Sequence, residues 1–463
     1  MSQKIDLFNH IGGIKTALSP FFYKPNETPL ALNIGSHQEL GAVTKAEQYD
    51  AFGGSSGSSY LQAIQPAEYP NGDSLLFSVN AGLVYKYTPG GWVNLAVGFT
   101  AMDATVMWGS AFMYDTVYFT DGLKMYYSAN EGAFWTAHTL SPVPKLLEVF
   151  KNRLYGANFS GNTNRFRFSD VSDGTTFSTA NYVDTIDAPI VAMKATLNYL
   201  YLFTAESTWR WDETYLYKVD DIGVRSAYAA VYGAQMMFFI GTDGIFQVNG
   251  GRAPYQISRP VQDWLDGVEP TNIPKFNTGF FKDEVYFWIG DSLGYTDVVL
   301  VYNTVFKSWR VLTGWPSAMM AVWTDSTIDK RLYFAKHTTN GVYRYGGTVN
   351  QDDVAVTAQY DYPILTPAGG DKEFQGKSLH CFARSTGLAT FQIQYALNWQ
   401  DDFVALKEWE LRGEGFTETI QINVPASVCG KAVQWRILES TSGIPWTWEG
   451  MRFYFDTTRG VND

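Results

Sequence analysis

A short β-run of apolar, aromatic, aromatic residues recurs seven times along this chain, and no other feature constrains its fold as strongly. The runs are SLLFSV (74–79), TVYFTDG (116–122), NRLYGA (152–157), YLYLFT (199–204), MMFFIGTDG (236–244), EVYFWIGD (284–291) and RLYFAK (331–336). Marked by Phe77, Phe119, Tyr155, Phe203, Phe239, Phe287 and Phe334, they are 42, 36, 48, 36, 48 and 47 residues apart. A period of about forty to fifty residues is that of a propeller blade, with four strands to each repeat. A turn and a second alternating run follow several markers, as in GLVYKYTPGGWVNL (82–95), GIFQVNGGRAPYQIS (244–258) and GVYRYGG (341–347). Alternation at period two sends every other side chain toward the neighbouring blade, where aromatic rings bury the most area.

Composition agrees. Aromatic residues make up 16% of the 463 and charged residues 17%, the latter well under the roughly 25% of an ordinary soluble domain. Helical signals are confined to VQDWLDGV (261–268), closed by Pro270, and PKLLEVF (144–150), each worth two turns at most. The expectation is an all-β chain whose main body is a β-propeller of about seven blades. Six or eight remain compatible with the spacing, because terminal blades are the hardest to count. LALNIGS (30–36) and GAVTKAEQ (41–48) are the candidates to close the ring.

The pattern changes at both ends. After GTVNQDDV (347–354) the markers stop, and six plain alternating strands follow at 354–362, 377–385, 389–397, 417–424, 431–438 and 450–457. Separated by Gly, Pro and Asn turns, they read as a β-sandwich. The stretch 4–34 carries three prolines and a Gly-Gly pair and reads as an extended arm that packs on something else. The domain expectation is an arm over 1–35, a propeller over 36–350 and a sandwich platform over 351–463.

The formal charge is −12, from 34 basic and 46 acidic residues, with no basic cluster. Gripping DNA through its phosphates needs clustered cations, so tight nucleic-acid binding is not expected. Cys381 and Cys429 have no CxxC spacing and read as two buried free thiols, although pairing between them is not decided by sequence. The N-terminus has no apolar signal segment, and runs such as MMFFI (236–240) are far short of a membrane span. The chain reads as a soluble protein folded in a cytoplasm.

SANEGAFW (128–135) is close to the S-x-D-x-G-x-T-W box of sialidases and other glycan-processing propellers. Each residue of such a box has a structural task. Ser128 opens it, Asn130 caps the turn through backbone N–H groups, Gly132 bends at positive φ and Trp135 packs beneath the hairpin. SDVSDGTTF (169–177) is a degenerate second copy. A sialidase would also need an arginine cluster for the substrate carboxylate, and Arg153, Arg165, Arg210, Arg225 and Arg252 have no spacing that unites three of them. His10, His37, His138, His337 and His380 are scattered without metal-ligand or triad spacing. Aromatic stretches WRW (209–211) and KSWRVLTGW (307–315) suit blade packing better than a sugar platform. No catalytic, cofactor-binding or metal residue is assigned.

Four stretches carry a family resemblance: IGGIKTALSPFFYKPNETPLALNI (11–34), KNRLYGANFSGNTNRFRFSDVSDGTTF (151–177), FIGTDGIFQVNGG with ISRPVQDWL (239–265), and VLVYNTVFKSWRVLTG (299–314). Together with the order arm, propeller, sandwich, the chain resembles the β-propeller tail-hub or nozzle proteins of short-tailed bacteriophages, including the packaged-DNA stabilisation class. That resemblance implies a non-enzymatic virion protein of the tail, without cofactors, forming a ring that is usually a homohexamer. Its implied partners are the portal and head-to-tail adaptor above and tail fibres or spikes beside it, with DNA passing through during ejection. The competing expectation is a virion-borne or secreted glycan-binding or glycan-cleaving propeller, sialidase- or depolymerase-like.

Overall fold

The computed structural model describes every residue except 1–2, 9, 11, 17–22, 25, 38–41, 56–60, 96, 185, 326–328, 337–340, 347, 352–353, 370–371, 441–443 and 458–463. The chain is a β-propeller joined to a β-sandwich. Six blades are free-standing four-stranded antiparallel sheets, and the remaining one is the first part of a nine-stranded sheet. Their innermost strands are Leu61–Glu68, Gly109–Met113, Pro144–Phe150, Ala192–Ala195, Ala230–Gly233, Asn277–Phe281 and Ser317–Thr324. Each packs beside the next, and the last returns to the first, so the ring holds seven blades, numbered here in that order.

All seven marker aromatics lie in the second strand of their blade, and all are fully buried. The reason is geometric. A second strand is flanked within its sheet and covered on both faces by neighbouring blades, so a run such as TVYFT (116–120) is buried at every position. Tight hairpins set the register. Lys151 and Asn152, Ala234 and Gln235, and Lys282 and Asp283 each take positive φ at both turn positions, joining first and second strands in blades 3, 5 and 6. Paired positive φ matches the right-handed twist of the strands it connects.

That hairpin corrects one expectation. PKLLEVF is the innermost strand of blade 3, Pro144–Phe150, rather than a helix. It pairs with Arg153–Phe159 across the Lys151–Asn152 turn, and a two-residue turn leaves no room for a helix end. The second helical signal does form one, the five-residue helix Gln262–Asp266.

Ring closure differs as well. The closing strand is Tyr49–Ser55, which pairs with Gly341–Tyr345 as the outer strand of blade 7. The stretches expected to close the ring serve the sandwich instead. Leu30–Leu32 pairs with Ser308–Leu312 of blade 6 on one side and Ala358–Asp361 on the other. The nine-stranded sheet thereby runs from blade 6 through Leu30–Leu32 into Ala358–Asp361, Val433–Glu439, Ala389–Leu397 and Val404–Leu411. Ile34–His37 and Ala42–Lys45 join the facing seven-stranded sheet, which is built on Phe374–Ser385 and Trp446–Thr457.

The N-terminal stretch is therefore woven into the body. Gln3–Phe8 pairs along Trp446–Thr457, and the arm, blade 6 and the sandwich share one continuous hydrophobic core. The sandwich also holds a strand the sequence hid, Val404–Leu411, an edge strand whose Lys407, Glu408 and Glu410 mask its β character. Charge on an edge is how sheets avoid pairing with strangers. Both cysteines are free. Cys381 is buried, as expected, and Cys429 is exposed because it lies in a two-residue strand at the sheet margin.

Candidate functional site

The SANEGAFW turn links the third and fourth strands of blade 2, Met125–Ser128 and Thr136–Ala137. Asn130 Oδ1 accepts the Ser128 hydroxyl at 2.8 Å and the Phe134 N–H at 3.1 Å. Ser128 Oγ in turn accepts the Gly132 N–H at 3.1 Å. Gly132 has φ +82°, and a Cβ there would lie 2.5 Å from Leu95 Cδ1 and 2.9 Å from Phe77 Cε1 of blade 1. Trp135 is 1% exposed and packs among Phe77, Phe99 and Phe119, while its backbone N–H donates to the Val97 carbonyl at 3.0 Å. The hydrogen bonds of the box close the turn on itself, and Gly132 and Trp135 pack it against blade 1.

The second copy occupies the same place in blade 3. Asp173 Oδ1 accepts the Thr175 hydroxyl at 2.6 Å and its N–H at 2.8 Å, and these bonds hold its carboxyl below the usual range. His138 Nε2 lies 3.2 Å from the Gly174 carbonyl, tying blade 2 to this turn, and burial lowers the His138 pKa.

All seven innermost strands line the central channel of the ring. Side chains such as Phe280, Met320 and Leu147 narrow it to about 390 Å³, room for a small molecule and far less than a length of duplex. Its charged groups are Glu148 and Lys194, which pair with each other at 3.0 Å. The five arginines weighed from sequence do not line it. Arg153 reaches Glu213 and the Ser169 carbonyl, Arg165 pairs with Asp184, and Arg210 stacks between Tyr199 and Tyr217. Trp211, Trp309 and Trp315 are buried in blade cores. Of the histidines, His10 and His138 are held in separate packing sites and His380 lies against Tyr454. His337 and the side chain of His37 lie outside the described residues. Among the described residues no three His, Cys, Asp or Glu side chains come close enough to hold a metal ion.

Polar chemistry concentrates instead where arm, blade 6 and sandwich meet. Asn33, 3% exposed, donates to Thr313 Oγ1 at 3.0 Å and to the Thr357 carbonyl at 2.9 Å, and accepts the Thr313 N–H at 3.0 Å. One side chain thus binds blade 6 to the sandwich's first segment. Arg310 donates through Nη2 to Glu284 Oε2 at 2.5 Å and through Nε to Oε1 at 3.3 Å, with the Tyr286 hydroxyl on the same carboxylate at 2.9 Å. Burial alone would raise the Glu284 pKa, but the Arg310 charge and these hydrogen bonds outweigh it and hold it low. Arg436 clasps Asp361 at 2.7 Å through both Nε and Nη2 while lying 3.6 Å above the Phe403 ring. Lys45 and Glu439 form a fully buried pair at 3.1 Å, and the Trp446 indole donates to Glu439 at 2.6 Å.

Sequence reasoning singled out no residue of this set, although Asn33 and Arg310 lie within stretches that carry the family resemblance. Glu284 and Arg310 are 26 residues apart and face each other only because one strand, Tyr295–Asn303, pairs with the strands of both.

No family model matches the chain, and no curated protein does. Among solved structures, one similar chain is that described as BBS1N in complex with ARL6DN, at 12% identity and a TM-score of 0.46, covering 64% of this chain and 95% of that one. Another is the AfRom2 CNH domain, at 8% identity and a TM-score of 0.42, covering 63% and 98%.

Proposed function

We propose that this protein is a structural component of a bacteriophage tail, a hub or nozzle subunit that assembles into a ring below the portal and adaptor. The observation that carries this is the single β-body. A continuous nine-stranded sheet makes propeller and sandwich one piece, and the N-terminal strands are sewn through both. A body built this way transmits load between surfaces, which is what a subunit under genome pressure has to do. The arm stretch 11–34 and the blade stretch 299–314 that carry the family resemblance lie at this joint, with Asn33, Arg310 and Trp309 among their residues.

In this proposal DNA passes between subunits, not through a propeller, whose channel is filled to about 390 Å³. The net charge of −12 suits that task, because an acidic wall repels a polyanion and keeps it from adhering in transit. The sandwich offers the second surface, for neighbouring subunits or for a fibre or spike. The protein needs no catalytic residue in this role.

The test is the mass of the purified protein in solution and after mixing with portal–adaptor complexes. A closed ring, or stoichiometric docking on the portal complex, supports the hub. A strictly monomeric protein that neither rings nor docks overturns it. The glycan-active alternative rests on the box-like turns of blades 2 and 3, and saturable sugar binding or depolymerisation on a glycan panel would promote it instead.

A further inference from the structure

A small space lies where the N-terminal segment, blade 6 and the sandwich converge. It measures about 30 Å³, and its walls include His10, Thr28, Glu284, Asn303, Arg310 and Tyr360. Three buried polar atoms of these side chains have no hydrogen-bond partner among the described residues: His10 Nε2, Asn303 Nδ2 and Arg310 Nη1. Buried polar groups are almost always paired, and a pairing group that the protein does not supply is commonly an ordered water. All three side chains line this one cavity.

The remaining atoms of these side chains are committed. His10 Nδ1 lies 3.0 Å from the Tyr360 hydroxyl. Arg310 gives Nε and Nη2 to Glu284. Asn303 Oδ1 accepts the N–H groups of Val305 and Phe306 at 3.0 and 2.9 Å. The Asn303 amide nitrogen lies beside the Glu284 carboxylate yet forms no hydrogen bond of normal geometry with it.

Size and charge select the ligand. A cavity of about 30 Å³ exceeds the roughly 10–15 Å³ that one water requires, and it is too small for an organic molecule. Two of the three free atoms are obligate donors, which excludes a metal cation. The Arg310 charge is matched by Glu284, and burial keeps the His10 imidazole neutral, so the walls carry no net charge to hold a halide.

We infer that this cavity is a binding site for a single water molecule that accepts from Arg310 Nη1 and Asn303 Nδ2 and donates to His10 Nε2. His10 then carries its own proton on Nδ1 and donates it to the Tyr360 hydroxyl. The water completes a joint among three parts of the chain: His10 from the arm, Asn303 and Arg310 from blade 6, and Tyr360 from the sandwich through His10. Glu284, Arg310 and Gly35 also border a neighbouring cleft of about 240 Å³, which gives the water a route of exchange past the ion pair. The arm is thus seated through a hydrated polar contact as well as an apolar one.

The decisive experiment is a crystal structure of the full chain that shows ordered solvent, with a second crystal soaked in sodium bromide. One ordered water within hydrogen-bond distance of all three atoms, and no bromide anomalous peak at that position, is the expected result. A dry cavity, a bromide ion in it, or His10 turned to bond Arg310 directly would each overturn the inference. In solution, water-deuteron relaxation dispersion counts long-lived buried waters, and His10→Phe should lose one relative to the wild type while His10→Gln keeps it. An unchanged count in a folded His10→Phe protein counts against the site. The wild-type crystal decides the matter if that variant does not fold.

Discussion

Blades 2 and 6 share one four-strand plan and end in opposite surroundings. The outer strand of blade 2, Thr136–Ala137, is two residues long and exposed at both. That of blade 6, Ser308–Leu312, buries Trp309, Val311 and Leu312, because Leu30–Leu32 pairs against it and carries the sheet onward. An outer strand is a row of open hydrogen-bonding groups, and a protein either keeps it short or covers it. Blade 2 takes the first course and spends its polar residues on a turn that grips blade 1. Blade 6 takes the second, and polar residues such as Glu284, Arg310 and Asn33 gather at the seam. What distinguishes a plain blade from a fused one is therefore the edge and not the marker strand, since Phe119 and Phe287 are equally buried.

Two substitutions share the largest expected loss and differ in where it is felt. Glu284→Ala strands the Arg310 guanidinium in a buried site, at a cost of roughly 3–5 kcal/mol. Trp135→Ala empties an aromatic cluster between blades 1 and 2, at a similar cost of roughly 3–5 kcal/mol. Denaturant unfolding should register both, and hydrogen exchange should separate them. Glu284→Ala should weaken protection in blade 6 and the sandwich together, and Trp135→Ala in blades 1 and 2. Were the sandwich strands unaffected by Glu284→Ala, the seam would not couple the two parts.

Next in size is a pH effect confined to the seam. Burial lowers the His10 pKa from 6.5 to about 4. The unfolded chain therefore binds a proton between those values that the folded chain refuses. Its contribution to stability is full above pH 6.5 and falls as the pH drops toward 4, by about 3 kcal/mol at about 1.4 kcal/mol per pH unit. Tyr360 and Tyr362 flank the ring and stay neutral there, and the Glu284–Arg310 pair across the cavity keeps its charges because the Glu284 pKa is held low. Melting His10→Gln beside the wild type at pH 7 and pH 4.5 isolates this part. The gap between the two proteins should shift in favour of the variant at the lower pH.

Blade 2 offers the two smaller effects. Gly132→Ala forces a side chain into positive φ against Leu95 and Phe77 and should cost about 1–3 kcal/mol. Asn130→Ala removes one acceptor that serves two donors and should cost about 1 kcal/mol. Thermal melts resolve both, and neither should disturb hydrogen exchange in the sandwich. A larger loss from Asn130→Ala than from Gly132→Ala would mean that capping, rather than backbone geometry, holds the turn.

Local chemistry explains how much was legible in the sequence. Marker strands announced themselves because a strand covered on both faces must be apolar throughout, and TVYF or VYFW says so within four residues. The turn at 128–135 was readable for the same reason, since Ser128, Asn130 and Gly132 act on one another across four positions. PKLLEVF misled because seven residues that mix apolar positions with Lys145 and Glu148 suit a short helix or an inner strand equally, and only the Lys151–Asn152 hairpin decides. VALKEWEL hid because an edge strand is free to carry charge. The seam was invisible, since its pairs join residues far apart in the chain, as His10 and Tyr360 or Lys45 and Glu439 are.

By itself, then, the sequence determined the class and the repeat: all-β, a ring of aromatic-centred blades, a plainer set of strands behind it. These follow from side-chain periodicity, which each strand expresses alone. Tertiary structure decided that Tyr49–Ser55 closes the ring, that Leu30–Leu32 bridges it to the sandwich, and that Glu284, Arg310, Asn303 and His10 line a common space. Strand edges are alike in backbone chemistry, so a sequence states that an edge must be satisfied and leaves its partner to the fold.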